Sequence, residues 1–272
     1  MTREANPFLS LPEIALDPGR PVAVLADLHA NLEALTVVRA WLAREGIDQV
    51  IVLGDVVGYG ASPMEVTGEL RRQGWPSVLG NHDLWAGEPK EMEVPYRRIK
   101  DHARRTLLWT YEQLDPESRH FLMAQPRILR LGRSAVAIHG SLVDPEHCFA
   151  YIYDLSLYLN IRALDALAAP RPMIVFFGHT HKPAVFAVED DSWESLTPGT
   201  TWLPLEAPVH FINPGSVGYP RDGDPRASLA LWQPWAGQVK MVRLPYAVEE
   251  AAGRMEAAAL PSENRRRLLE AR

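Results

Sequence analysis

Asp27, His29, Asp55, Asn81, His82, Asp83, His139, His179 and His181 fall in five short runs: DLH at 27–29, GD at 54–55, GNHD at 80–83, HGS at 139–141 and GHTH at 178–181. Carboxylate, imidazole and amide donors mixed in this way suit borderline first-row ions such as Mn, Fe, Zn or Co. A thiolate site is excluded because Cys148 is the only cysteine. The donors suffice for two ions, and two divalent ions bound through Asp27 and Asp55 with a bridging hydroxide would leave a cationic site that attracts phosphate. Paired metals roughly 3.5–4 Å apart can clamp phosphoryl oxygens and bring the pKa of a shared water towards roughly 7. The expected nucleophile is a metal-bridging hydroxide, which needs no covalent enzyme intermediate.

Each run must be positioned by the apolar stretch before it: VAVLA before Asp27, VIVL before Gly54, SVL before Gly80, AVAI before His139 and MIVFF before Gly178. The spacing predicts strands there, with the polar residues at their carboxyl ends, the edge of an open α/β sheet where ligands bind. Strand periodicity would also send Asp27 and His29 to one side, and likewise His179 and His181. The first part alternates strand 22–26, helix 32–45, strand 49–53, helix 63–73 and strand 77–79, which favours parallel strands with crossover helices. Residues 96–124 carry charged and apolar residues at helical spacing and predict two or three helices, followed by strands 127–131 and 134–138 and a helix near 154–168. Strands near 173–177, 183–189, 209–212, 227–233 and 238–243, with short connections, predict an antiparallel second sheet. The Ala-, Glu- and Arg-rich tail from about 246 predicts one or two helices that pack on the domain or mediate self-association.

In this order the five runs resemble the calcineurin-like metallophosphoesterases, whose pattern is DxH, GDxx, GNH[DE], a histidine before a small residue, and GHxH. The similarity spans residues 22 to about 182. It implies an α/β fold, a four-layer α/β/β/α sandwich of two mixed sheets with outer helices, with a helical cap insertion at about 84–126 near the active site. The expected domain is 21–245, between an N-terminal extension at 1–20 and a helical tail at 246–272. The resemblance puts Asp27, His29 and His181 on one metal ion and Asn81, His139 and His179 on the other, with Asp55 bridging. Two divalent or trivalent transition-metal ions are implied, Mn or Fe before Zn or Co. The implied activity is a dinuclear metal-dependent phosphoesterase acting on a phosphodiester or phosphomonoester of a small molecule. An asymmetrical diadenosine polyphosphate hydrolase is the alternative enzyme reading, and a non-catalytic metal-binding scaffold the alternative of another class. The scaffold member of the family lacks the catalytic histidine that His82 matches here.

Beside the ligands, His82 is the candidate general acid for the leaving oxygen, a role typically worth roughly a hundred- to ten-thousandfold. Asp83 would either orient His82 or cap the following turn. Asn31 precedes LEALTVVRAWLAREG, so it either caps that helix or touches substrate. In GDVVGYGASP, Tyr59 would stack on a substrate ring or simply pack. Protein serine/threonine phosphatases of the superfamily carry GDxVDRG, whereas this chain has Gly58 and Tyr59 there, which argues against a phosphoprotein substrate. The run NPGSVGYPRDGDPRAS at 213–228 resembles one in a bacterial and archaeal branch. Within it Arg221 would either grip a substrate phosphate bidentately or pair with Asp222 or Asp224. His102, His120, His147 and His210 lie outside the motifs and read as structural or exposed, with His147 the one that could wall the pocket. Arg97, Arg98, Lys100, Arg104 and Arg105 read as a solvated helix face rather than a phosphate-steering patch.

With 272 residues, 47% of them apolar, the chain can bury one substantial core. Its net charge of −6 argues against a nucleic-acid polymer as partner. A small phosphorylated molecule, nucleotides included, remains open. MTREANPFLSLPEIALDPGR does not read as a signal peptide, and no apolar stretch reaches the roughly 20 residues of a membrane span. The expected location is cytoplasmic.

Overall fold

Of the five apolar runs ahead of the motif residues, those before Asp27, Gly54, His139 and Gly178 become strands, because they can be buried on both faces. The computed structural model describes residues 11–93, 99–146, 150–167, 173–190 and 192–272. In chain order the first elements are β1 (Glu13–Ile14), β2 (Val22–Leu25), α1 (Leu32–Glu45), β3 (Gln49–Val52), α2 (Pro63–Gln73) and α3 (Asn81–Gly87). After a 3₁₀ turn at Pro89–Glu93 come α4 (Asp101–Gln113), α5 (Pro116–Met123), β4 (Ile128–Leu131), β5 (Ala135–Ile138), α6 (Asp154–Leu164) and β6 (Ile174–Phe176). The remainder comprises β7 (Pro183–Glu189), β8 (Ser192–Leu196), β9 (Leu203–Pro204), β10 (Val209–Pro214), β11 (Ala227–Gln233), β12 (Gln238–Leu244), α7 (Val248–Ala257) and α8 (Ser262–Glu270). Among the described residues no helix is long and apolar enough to cross a membrane.

One sheet has the order β1-β4-β5-β6-β10-β7-β8 and the other β3-β2-β11-β12-β9, each mixing parallel and antiparallel pairs. Val22, Val24, Ile51, Leu129, Ala137, Phe176, Ile212 and Trp232 form the apolar layer between the sheets. On the outer face of the five-stranded sheet, Ala23, Leu25 and Leu229 meet Leu35, Val38 and Leu42 of α1 and Val66 and Leu70 of α2. Those helix positions recur at three- and four-residue spacing, the buried stripe of an amphipathic helix. Val136, Val175 and Phe211 of the other sheet meet Leu157, Ile161 and Leu164 of α6. The result is the four-layer α/β/β/α sandwich of two mixed sheets with outer helices.

Local chemistry sets several boundaries. Asn31 Oδ1 accepts the Ala34 N–H at 3.0 Å and starts α1, and Gly46 ends it at φ 66°, a left-handed cap that glycine adopts without cost. Pro63 opens α2 where no N–H is needed.

Three expectations change. Residues 77–79 form no strand: a single bridge joins Ser77 to Val52, and the Leu79 N–H then turns away to Pro126 O at 2.9 Å. The later strands do not make a sheet of their own. β7, β8 and β10 extend the sheet of β6, whereas β11 and β12 extend that of β2, because alternation marks a strand but not its neighbour. The short strands β1, β8 and β9 carry too little pattern to read. Ile14 of β1 reaches the intersheet core and draws that part of the N-terminal extension onto a sheet edge. In the tail, Ala251, Ala252, Met255, Leu260 and Leu268 of α7, α8 and their connection pack against Tyr59, Ala103 and Tyr219.

Candidate metal centre and cleft

The loops leaving β2, β3, β5 and β6, together with the amino end of α3, converge on one edge, and their polar side chains are buried there. Asp27, His29, Asp55, Asn81, His139, His179 and His181 are each at most 7% exposed. They do not reach the centre by strand alternation. Asp27 (φ 54°), His29 (47°), Asp55 (50°), His179 (67°) and His181 (59°) all have left-handed backbones, as do Ala30 and Tyr59. Side-chain-bearing residues adopt this at a cost of roughly 1–3 kcal/mol each, and such strain gathers at functional sites. The expected shared direction of Asp27 with His29, and of His179 with His181, therefore arises from successive left-handed turns. Backbone bonds hold them: the N–H groups of His29 and Ala30 donate to Asp55 O and Val56 O, both at 2.9 Å.

Donor atoms of Asp27, His29, Asp55 and His181 lie within 4.8 Å of one another, as do those of Asp55, His139 and His179, so Asp55 belongs to both groups. Asn81 Oδ1 is 3.0 Å from His139 Nε2 and so adjoins the second group. Each of three imidazoles spends Nδ1–H on a backbone carbonyl: His29 on Val57 O (3.1 Å), His139 on Leu53 O (2.7 Å) and His181 on Tyr219 O (2.5 Å). A carbonyl only accepts, so each neutral ring keeps its Nε2 lone pair for the centre. His29 Nε2 and His181 Nε2 then face each other at 3.1 Å, two lone pairs that repel unless a cation lies near both. His139 Nε2 likewise meets His179 Nδ1 at 3.2 Å and Asp55 Oδ2 at 3.4 Å.

The ionisation of these groups shows the same unbalanced demand for positive charge. Burial pushes the Asp27 carboxyl up to about 8, with His139 opposing and Asp55 adding to the rise. Burial would lift Asp55 as well, but His139 and His82 hold it well below the usual range. His139 would be lowered by burial, yet the Asp55 carboxylate draws it up to about 9. Two buried carboxylates ringed by imidazoles fit transition-metal cations, which would bring Asp27 and His139 back down and hold Asp55 lower still.

Glycines make room for this crowding. A Cβ on Gly80 would strike Asp55, and one on Gly58, whose φ is +88°, would strike His82 Nδ1. His82 itself donates its backbone N–H to Asp55 Oδ1 at 2.8 Å, while its ring packs against Tyr59, His29 and Trp85. Burial lowers this imidazole to about 4, against the pull of Asp55, and its Nδ1 has no hydrogen-bond partner among the described residues.

Beside the centre opens a cleft of about 460 Å³ reached by Asp55, Asn81, His82, His179 and His181. Arg221 and Tyr59 line it too. Arg221 Nη2 donates to Tyr59 Oη at 3.2 Å, its guanidinium lies over the Tyr59 and Tyr219 rings, and its Nε has no hydrogen-bond partner among the described residues. Asp222 pairs with Arg243 and Asp224 with Arg226, so neither neutralises Arg221.

Three expected site residues sit differently. Asp83 does not touch the His82 ring: its Oδ1 accepts Val57 N–H and its Oδ2 accepts Gly80 N–H, both at 3.1 Å, so it caps α3 and ties the motif loops together. Asn31 does not line the cleft. Besides capping α1 it donates to Gly218 O at 2.8 Å and Tyr246 Oη at 3.1 Å, which exhausts its amide. Tyr59 is only 8% exposed, with Tyr219 stacked on it at 4.5 Å and 15°, so it offers an edge and its hydroxyl rather than a stacking face.

The cleft also holds residues the motifs gave no sign of. Tyr151, 39% exposed, stacks on His179 with centroids 4.1 Å apart. Lys100, His102 and Arg267 line the cleft from the amino-terminal flank of α4, from α4 itself and from α8. Lys100, Arg104 and Arg105 are exposed, His102 is tied to Asn264 Oδ1 at 2.6 Å and His210 is buried. Arg97, Arg98 and His147 lie outside the described residues. No local pattern could have found Arg267, because only the packing of the tail brings it in.

Residues 21–233 match the family model of the calcineurin-like phosphoesterase superfamily domain. The chain is 31% identical over 230 residues to the uncharacterized protein MJ0912 of Methanocaldococcus jannaschii, covering 85% of this chain and 89% of that one. A metallophosphoesterase from Sphaerobacter thermophilus superposes with a TM-score of 0.78 at 32% identity, covering 93% of this chain and 100% of that chain. The hypothetical protein PH1004 from Pyrococcus horikoshii OT3 superposes with a TM-score of 0.72 at 23% identity, covering 91% and 97%, a likeness of fold. With a match across most of its length and a buried Asp, His and Asn cluster suited to metal, the chain belongs to the calcineurin-like phosphoesterase superfamily.

Proposed function

We propose that this protein is a dinuclear metal-dependent hydrolase of phosphate esters of small molecules. The observation that carries the reading is the pair of donor groups that share Asp55 at the floor of an open cleft. Asp27, His29 and His181 would hold one ion, Asn81, His139 and His179 the other, and Asp55 both, with Mn or Fe the expected metals. Bound there, the metals supply Lewis acidity and an activated water. The chain's own residues do the rest. Backbone carbonyls fix the tautomers of His29, His139 and His181. Arg221, braced by Tyr59, presents guanidinium donors to a phosphate oxygen. His82 passes a proton to the leaving oxygen, and an incoming phosphate supplies the negative charge that favours its imidazolium. Gly58 leaves room for that ring, Trp85 packs on it and Asp83 ties down the turn that carries it.

The test is product analysis with metal-stripped, Mn-reconstituted protein given an aryl phosphate monoester, an aryl phosphodiester and diadenosine tetraphosphate in parallel. Turnover of an aryl ester that requires metal and falls at least about a hundredfold in His82→Ala supports the reading. Cleavage of the dinucleotide to AMP and ATP far faster than either ester would move the substrate to dinucleoside polyphosphates. Metal binding without any turnover would leave the scaffold reading in its place.

A further inference from the structure

The cleft extends beyond the candidate metal centre, where the cationic side chains of Lys100 and Arg267 line it beside His102. Lys100 precedes α4, His102 stands in its first turn, and Arg267 comes from α8. Among the described residues neither Lys100 nor Arg267 lies within ion-pair distance of a side-chain carboxylate. The nearby Glu263 and Glu270 are taken by Arg266 instead. Cations on a solvent-facing helix are ordinary. Drawn from separate elements onto one concave surface, they form a receptor for an anion.

The placement of Arg267 is built rather than incidental. Asn264 is fully buried, and its side chain donates Nδ2–H to Thr106 Oγ1 at 2.6 Å. Its Oδ1 then faces His102 Nδ1 at 2.6 Å, so that ring nitrogen donates. Its backbone O accepts the Tyr219 hydroxyl at 2.8 Å. One residue thus locks α8 to α4 and to the loop that carries Arg221. Arg267 is three positions further on, on the same face of the helix. Its Nε donates to Arg272 O at 3.0 Å, which orients the guanidinium and leaves its terminal nitrogens for a ligand. Residue 267 lies past the 21–233 stretch that matches the family domain.

We infer that Lys100 and Arg267 form a second anion subsite, and that the ligand of this cleft is a small molecule bearing two phosphate groups. Only the identity of the first phosphate's site rests on the phosphoesterase reading. A volume of about 460 Å³ is in the range of sites for whole small molecules and exceeds what one phosphate fills. Arg221 lies in the same cleft and can contact either group. The carboxylates on the lining are Asp55 of the centre and Asp144, which comes from another segment than α4 or α8.

Calorimetric binding to the Mn-loaded full chain tests this without relying on turnover. The probes are AMP, adenosine 5′-(α,β-methylene)diphosphate and adenosine 3′,5′-bisphosphate, with ligand integrity checked by chromatography. At least one two-phosphate probe should bind about tenfold more tightly than AMP. That gain should vanish in Arg267→Met with Lys100→Met, while AMP affinity changes less than about twofold. The two probes distinguish a linear phosphate chain from phosphates on separate ring positions. Lys100→Met alone, at an exposed position, should lose part of the gain and guards against misfolding of the double variant. No gain in the wild type, a gain that survives the double variant, an equal loss for AMP and the two-phosphate probes, or no binding of any probe would overturn the inference. A protein that binds this way yet hydrolyses no phosphoester would instead overturn the phosphoesterase reading.

Discussion

Gly58→Ala should displace His82, and the cost can be worked from the packing around it. The new methyl group would stand under 3.0 Å from His82 Nδ1, a separation real Cβ atoms essentially never show. The ring cannot simply swing away, since Tyr59, His29 and Trp85 have centroids 4.5–5.5 Å from it. Overpacking of this kind costs about 1–3 kcal/mol. The φ of +88° adds about 1–2 kcal/mol for any residue with a Cβ, so the total loss should be about 2–5 kcal/mol. A double-mutant cycle separates the parts. In Gly58→Ala combined with His82→Ala the ring clash disappears, leaving the backbone strain and a tight contact of 3.2 Å to the Cβ of residue 82, so the coupling should be about 1–3 kcal/mol. Urea unfolding of the four metal-loaded proteins measures it, and turnover of Gly58→Ala should fall about a hundredfold through misplacement of the imidazole. Additivity within about 0.5 kcal/mol would refute the reasoning, for it would mean that His82 yields freely and is not held by its neighbours.

Asn31→Ala should destabilise the fold by about 2–3 kcal/mol, since it removes the α1 cap and two buried donations, yet leave KM unchanged. Unfolding and kinetics read both, and a raised KM at unaltered stability would return Asn31 to the substrate. Asp115 caps α5 through the Ser118 N–H at 2.6 Å, and that bond depresses its carboxyl pKa. A depressed folded-state value means that its stabilisation is present above the unfolded pKa and lost as pH falls. Asp115→Ala should therefore lower Tm at neutral pH, with the difference from wild type closing through the acid carboxylate range. A difference in Tm that stays constant with pH would show that the carboxylate is not the source.

Much of the fold could be read from the sequence because its strongest patterns are local. The helices at 32–45 and 63–73 carry both an apolar stripe and end signals, Asn31 to Gly46 and Pro63 to Gly74, and both have those bounds. Partner choice among strands was not readable, since β10 and β11 look alike in pattern yet join different sheets. At the centre, the residue types of the motif runs announced a metal cluster. Their geometry was hidden, because the left-handed turns at Asp27, His29 and Asp55 come from tertiary bonds that override strand propensity. Asp83 was open between two roles because a carboxylate after Asn-His can face a ring or a helix end. The Val57 and Gly80 amides decide it. Arg267 and Tyr151 had no signal, since their relation to the centre exists only once α8 and the 150–153 segment are packed.

The most direct test of the dinuclear centre is metal stoichiometry by plasma mass spectrometry, taken together with turnover of an aryl phosphoester, for stripped and Mn-reconstituted wild type and Asp55→Ala. The account predicts two ions per chain in the wild type, with turnover restored by metal. Asp55→Ala should lose both turnover and tight occupancy, because one carboxylate serves both donor groups. A single ion per chain, an Asp55→Ala variant that keeps two, or turnover that survives stripping would contradict it.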